Sequence, residues 1–229
     1  MPRRLVGELM DDPAIDPAAH DAALRGLARL NRMSRSAAML WPHVRREAAA
    51  LDRPLRLLDV ATGSGDVPIA LALRSRQAGL EVECSACDVS EHALRRARER
   101  ADAAGIELRT MPLDLLREPL PDTDVAVCSL FLHHLTNEEA ERVLRSMCDA
   151  AGRLVLANDL RRGAWGTALA ATVPRIATRS PVVHVDALRS ARAAFSLAEA
   201  RDLVRGIAGR WSVAPRFPGR MLLAWSPTP

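Results

Sequence analysis

The stretch LRLLDVATGSGDVPIALAL, Leu55 to Leu73, constrains this chain more than any other. An apolar run of strand length ends in an acid, two glycines follow one residue apart, and a second apolar run begins. That order joins a buried strand to a helix packed upon it. Gly63 and Gly65 permit positive backbone dihedrals and let a ligand come close to the main chain. Pro68 suits the first turn of a helix, where a missing N–H costs nothing. The same alternation recurs downstream. Strands are expected at 55–60, 81–87, 106–111, 124–130 and 153–158, and helices at 66–78, 91–104 and 137–149. A helix over 163–178, a loop around Ser180–Val185 and a helix near 196–207 opened by Ser196 follow. The ending RWSVAPRFPGRMLLAWSP reads as two strands joined by a Pro-Gly turn. The expectation is an α/β fold with a seven-stranded, mostly parallel sheet, helices on both faces and a C-terminal β-hairpin.

Residues 1–50 read as a helical N-terminal cap, and 51–229 as the ligand-binding domain, with 160–195 roofing its pocket. In the cap, Leu24, Leu27, Met33, Ala37, Leu40 and Val44 follow helical spacing beside a stripe of Arg25, Arg29, Arg32 and Arg35, and Pro42 suggests a break or bend. The apolar cap serves a homodimer as readily as a roof. No apolar run reaches the roughly 20 residues of a membrane helix, and the N-terminus lacks the apolar core of a secretory signal, so the expected place is the cytoplasm. The net charge of +4 is carried by arginines spread along the chain. With three Phe and no Tyr, little is available for stacking on bases, which disfavours nucleic acid as a partner. Cys84 and Cys87 lie three apart in a strand and so point to opposite faces. With no second pair at zinc spacing, no metal is expected.

Several ligands sit on glycine-rich turns, and local chemistry discriminates among them. A dinucleotide fingerprint wants a third glycine where Pro68 stands. No Gly-Lys-Ser/Thr follows, which removes a P-loop. Asp59 and Asp66 flank the turn and would repel a pyrophosphate at that helix end. They would attract a ligand carrying an ammonium and a sulfonium, such as S-adenosylmethionine (SAM). Asp88 ends the second strand, 23 residues after Gly65, where a carboxylate can accept from both ribose hydroxyls of NAD or SAM alike. Asp114, after the third strand, can accept from an adenine amino group.

The set DVATGSGD, CDVS, LDLL and SLFLHHL resembles the Rossmann-like (class I) SAM-dependent methyltransferases, nearest the ubiquinone/menaquinone-biosynthesis and small-molecule branch, over roughly residues 50 to 160. The resemblance implies that Asp59, Gly63 and Gly65 line the methionine end of SAM with Asp66 close by. It places Asp88 on the ribose, Val89, Asp114 and Leu115 at the adenine, and Ser129 and Leu130 at the closed end of the pocket. S-adenosylhomocysteine would be the product.

Methyl transfer from a sulfonium is an in-line displacement, so the protein must mainly align the nucleophile and exclude water. A phenol or acidic carbon also benefits from a base. His133, His134 and His184 are the candidate bases, with Asn158-Asp159 at the end of the fifth strand able to orient one. No Asn/Asp-Pro-Pro-Tyr/Phe, Pro-Cys or paired-glutamate loop points to a nucleic-acid or protein acceptor. The Leu-, Ala-, Val-, Met- and Trp-rich cap and roof suit a small apolar or aromatic acceptor: a phenol, quinol or polyketide-like ring, methylated on oxygen or carbon. The alternatives are an NAD-dependent oxidoreductase on a similar sheet and a methyltransferase-like binder without catalysis.

Overall fold

Seven strands form one sheet in the order β3-β2-β1-β4-β5-β7-β6. They are β1 (Leu55–Val60), β2 (Val82–Asp88), β3 (Leu108–Pro112), β4 (Thr123–Ser129), β5 (Ala151–Leu160), β6 (Arg210–Arg216) and β7 (Arg220–Ser226). The first five run parallel, and β7 inserts antiparallel between β5 and β6. The computed structural model describes residues 2–9, 15, 16, 18, 22, 23 and 36–228. Leu24, Leu27, Met33, the four arginines of the cap stripe and His20 lie outside the described residues.

Seven α-helices connect the described strands: α1 (Ser36–Ala48), α2 (Asp66–Gln77), α3 (Glu91–Ala103), α4 (Asn137–Ala150), α5 (Ala164–Ala177), α6 (Pro181–Ala193) and α7 (Leu197–Val204). A 3-10 turn, Leu132–His134, precedes α4. The starts are chemically marked. Ser90 caps α3, and Thr136/Glu139 and Ser196/Glu199 form capping boxes on α4 and α7. The expected loop at Ser180–Val185 is instead the start of α6. Ser180 accepts from the Val183 N–H and Pro181 takes the first helical position, so a Ser-Pro pair that resembles a turn is a helix N-terminus. Nor does Pro42 break α1, which continues from Ser36 to Ala48 with Leu40, Val44 and Ala48 buried along one face.

The sheet carries a core on each side. Cys87 and Cys128 pack with Leu144 and Phe195 on one, and Cys84 packs with Leu57, Leu71 and Val127 on the other. The two cysteines of the CxxC therefore do face opposite ways. Burial pushes the thiols of Cys84 and Cys87 up to about 12, which keeps both protonated and inert. No described helix is long and apolar enough to cross a membrane.

The strand order reverses between β1 and β4, and ligands of open α/β sheets bind at the carboxyl ends of the strands at such a switch point. Register brings those ends level: Asp59 opposite Ala86 and Val127, and Ser129 opposite Asn158.

Candidate functional site

At the switch point the backbone turns sharply. Ala61 and Leu130, which follow β1 and β4, both have positive φ, 54° and 59°, as do Gly63 (55°) and Gly65 (75°). A non-glycine residue held there costs roughly 1–2 kcal/mol, so both strand ends are shaped at some expense of stability. The two glycines do different work. A Cβ on Gly65 would lie 3.0 Å from that of Ala97, so Gly65 lets α2 and α3 meet, whereas nothing stands within 4 Å of the position at Gly63. The Gly63 face of the loop is open to a ligand.

Carboxylates surround that opening. Asp59 is 2% exposed, and its Oδ2 accepts from the Thr62 hydroxyl at 2.6 Å. Burial raises its pKa to about 7, against the hydrogen bond from Thr62 and with help from Asp88 and Asp66. Asp88 accepts from the N–H of Gly63 at 2.8 Å and of Ser90 at 2.9 Å, which orients it and leaves acceptor capacity on both oxygens. Asp66 is engaged by Arg100 of α3, which also donates to the Ser64 hydroxyl at 2.8 Å. Its charge is thus partly neutralised from the α3 side. Val89 is 74% exposed beside Asp88. Asp114 accepts from the Leu116 N–H at 3.0 Å and pairs with Arg117 at 3.3 Å, while Leu115 is half-buried.

A second polar cluster stands across the sheet axis, at the ends of β4 and β5. Asp159, 1% exposed, accepts from the backbone N–H of His133 at 3.0 Å and lies 2.6 Å from its Nδ1. Burial alone would raise the Asp159 pKa. His133, the Leu160 N–H and Arg220 together hold it below its ordinary value, so it is ionised. An ionised partner on Nδ1 keeps the proton there and leaves Nε2 as the basic nitrogen of His133. The His134 ring sits 4.2 Å from that of His133, and burial and this neighbour push its pKa down to about 4. Asn158 donates to the Ser129 hydroxyl at 3.4 Å and accepts the Leu130 N–H through its carbonyl at 2.9 Å, tying β5 to the strained end of β4.

Residues 2–9 close this side. The Arg4 N–H donates to Arg192 and the Leu9 N–H to Asp186, so the segment runs along α6. Arg3 donates to the carbonyls of Ala193 (2.6 Å), Leu135 (2.5 Å) and His133 (3.3 Å) and to Asn137, with its guanidinium 3.7 Å above the buried Phe195 ring. Glu8 accepts from Ser190 and stands 4.0 Å from His134 Nε2. One ligating atom each from Glu8, His133 and His134 lies within 4.8 Å of the others.

Residues 57–151 match the family described as a methyltransferase domain. Over that segment the chain is similar to methyltransferases, and the match covers less than half of its length. Among curated relatives, a demethylmenaquinone methyltransferase of Thermus thermophilus is 35% identical over 131 residues, 56% of this chain and 58% of its own length. A ubiquinone/menaquinone biosynthesis C-methyltransferase UbiE of Paraburkholderia phymatum is 32% identical over 104 residues, 44% of this chain and 42% of its own. The chain thus matches about half the length of these curated relatives. In three dimensions it is similar to the methyltransferase SibL (TM-score 0.70, 20% identity, 98% of this chain and 63% of that one). It is also similar to the plantazolicin methyltransferase BpumL (TM-score 0.70, 16% identity, 93% and 91%).

The fold gathers most of the residues singled out from sequence. Asp59, Gly63, Gly65, Asp88 and Val89 meet at one opening, and Ser129, Leu130, His133 and His134 line the neighbouring strand end. His184 stands apart from both: its Nε2 is 2.8 Å from the Thr178 carbonyl, where it fastens the start of α6. Arg3, Glu8 and Arg100 are additions that only the structure supplies. Arg100 sits in an arginine-rich helix with nothing to mark it, and Arg3 reaches partners up to 190 positions away.

Proposed function

We propose that this protein transfers a methyl group from SAM to a small acceptor that carries an acidic O–H or C–H, on an apolar or aromatic body such as a phenol, quinol or polyketide-like ring. The observation that carries this reading is the ring of carboxylates about an open glycine turn. Asp59 and Asp88 offer acceptors and negative charge where Gly63 leaves room. That donor set fits the ammonium, sulfonium and ribose of SAM and not a pyrophosphate. When bound, SAM supplies an electrophilic methyl carbon on a cationic sulfur.

The chain's own residues then divide the work. Asp88, oriented by Gly63 and Ser90, accepts from the ribose hydroxyls. Asp59 faces the positive end and becomes fully ionised in its presence. Val89 offers an apolar surface to the adenine, with Asp114 and Leu115 beside it. Ser129 and Leu130 close the inner wall. His133, with Asp159 on its Nδ1, takes the acceptor's proton at Nε2. His134, neutral at physiological pH, flanks it. The strap of residues 2–9 and helix α6 exclude water from that proton transfer. The demethylmenaquinone and UbiE names of the relatives favour a quinol-like ring among the acceptors.

The test is mass spectrometry of the full chain incubated with SAM and a panel of phenols, quinols and polyketide-like aromatics. A product heavier by one methylene unit, formed by the wild type and not by Asp88→Ala, is expected. SAM binding by calorimetry without any such product across the panel would refute the acceptor class. Stabilisation by NAD and not by SAM would refute the cofactor.

A further inference from the structure

Helix α5 is turned inside out relative to the other helices. Its 14 residues, AWGTALAATVPRIA, are predominantly apolar, yet only Pro174 is buried. The exposed positions Ala164, Trp165, Ala168, Thr172, Arg175 and Ile176 fall on one face at helical spacing. Trp165 is 59% and Ile176 86% exposed. The opposite face rests on α6 and on the β6–β7 turn, where Gly219 packs beside Leu169 and Gly166. Phe217 of that turn is 83% exposed as well. A soluble surface helix ordinarily shows the reverse arrangement, and large apolar side chains displayed on one helix face, with a further exposed phenylalanine on the turn that packs against that helix, mark a contact surface.

Charge says what kind of surface it meets. From Leu160 to Val185 there is no Asp or Glu, and there are four arginines, Arg161, Arg162, Arg175 and Arg179. Arg162 is spent on Glu199 inside the protein, whereas Arg175 and Arg179 are exposed. A helix with Trp and Ile at its surface, flanked by arginines and free of acids, has the chemistry that lies in the plane of an anionic bilayer. A second copy of the chain fits poorly, because a two-fold contact would set these arginines against their own counterparts.

We propose that the outer face of α5, with Phe217, docks the protein onto anionic lipid bilayers. The pair α5–α6 stands over the carboxyl ends of the strands, since α6 packs against the turn that bears His133 and His134. Docking there sets the acceptor side of the site against the lipid, where an apolar ring would be dissolved. That last consequence rests on the function proposed above; the docking itself does not.

The experiment is co-sedimentation of the full chain, without SAM or acceptor, with vesicles of phosphatidylglycerol and phosphatidylcholine and with phosphatidylcholine alone. Wild type should favour the anionic vesicles and release at high salt. Ile176→Glu and Trp165→Glu, both at exposed positions, should each weaken partitioning at least about tenfold, with S-adenosylhomocysteine still raising the Tm of the variants as evidence of folding. Equal binding by Ile176→Glu, no preference for anionic lipid, or a solution dimer that Ile176→Glu dissolves would each overturn the proposal. Vesicle binding by a protein that methylates nothing would support docking and count against the catalytic reading, and active protein that ignores vesicles would do the opposite.

Discussion

The half of the molecule built by β1–β4 and the half built by α5, α6 and residues 2–9 meet at one site but are made on different principles. In the first, each functional group sits within a few residues of the turn or strand end that aims it. Gly63 and Gly65 follow β1, Asp88 ends β2, and the bond from the Gly63 N–H to Asp88 at 2.8 Å links two neighbouring parallel strands. In the second, the groups meet through the tertiary fold. Arg3 binds the carbonyls of His133, Leu135 and Ala193, and Glu8 reaches His134. A site whose parts are local to strand ends is inherited with the fold. One assembled by a strap can be rebuilt around another acceptor while the cofactor side stays as it is.

The sharpest way to break that division is at the His133–Asp159 pair. Replacing His133 with Gln should lower kcat by about 10²–10³, in the range of positioned proton transfer, while the Kd for S-adenosylhomocysteine stays within a few-fold by calorimetry. An equal loss of cofactor affinity would mean that the halves are not separable. Next in size, Asp88→Ala should weaken SAM binding about 100-fold, since two charge-assisted hydrogen bonds contribute ~1.5–3 kcal/mol each less what water restores. The Tm of the ligand-free protein should fall as well, because Asp88 also accepts from the N–H groups of Gly63 and Ser90; Asp88→Asn, which keeps an acceptor for them, should weaken SAM binding with a smaller fall in Tm.

A third prediction uses the raised pKa of Asp59, about 7. A cationic ligand favours the ionised form, so SAM affinity should climb about tenfold from pH 6 to pH 8 and then level, with proton release seen by calorimetry in buffers of different ionisation enthalpy. The sign for the ligand-free protein is opposite. Its stability contribution is complete below the unfolded carboxyl pKa near 3.8 and is lost as pH rises through about 7, so the Tm should fall over that window and SAM should restore it. Asp59→Asn should flatten both profiles. The smallest effect belongs to the strap. Arg3→Ala should cost about 1–3 kcal/mol in urea unfolding and raise the KM for acceptor more than that for SAM. An unchanged acceptor KM would reduce the strap to a structural tie.

The same contrast explains what could be read from the chain. The strands, the glycine turn and the acids at the strand ends were legible because hydrophobic periodicity and turn chemistry are local signals. The seven-strand sheet with its closing hairpin followed from them. Beyond β5 local signals mislead. Ser180-Pro181 looks like a loop and is a helix start, because the same pair serves both and only the packing of Val183, Ser190 and Ala191 decides. Before β5, Asp66 was legible as an acid beside the glycine turn, whereas its partner Arg100 comes from the next helix. His184 looked equivalent to His133 as a histidine near an acceptor, but only His133 has a buried carboxylate on its ring nitrogen. Glu8 and Arg3 carried no signal, since their partners are fixed by tertiary contact alone.

The strap has a consequence for how the molecule comes into being. Residues 2–9 leave the ribosome before every other described segment, yet their partners, from His133 to Ala193, are synthesised more than a hundred residues later. Their contacts with these partners cannot form until β5 and α6 exist, so this segment is seated after the strands that it covers. Loop closure over so long a span is slow and costly. Deleting residues 2–9 should therefore leave the sheet to fold, with the deficit showing in acceptor turnover while the grip on SAM looks normal.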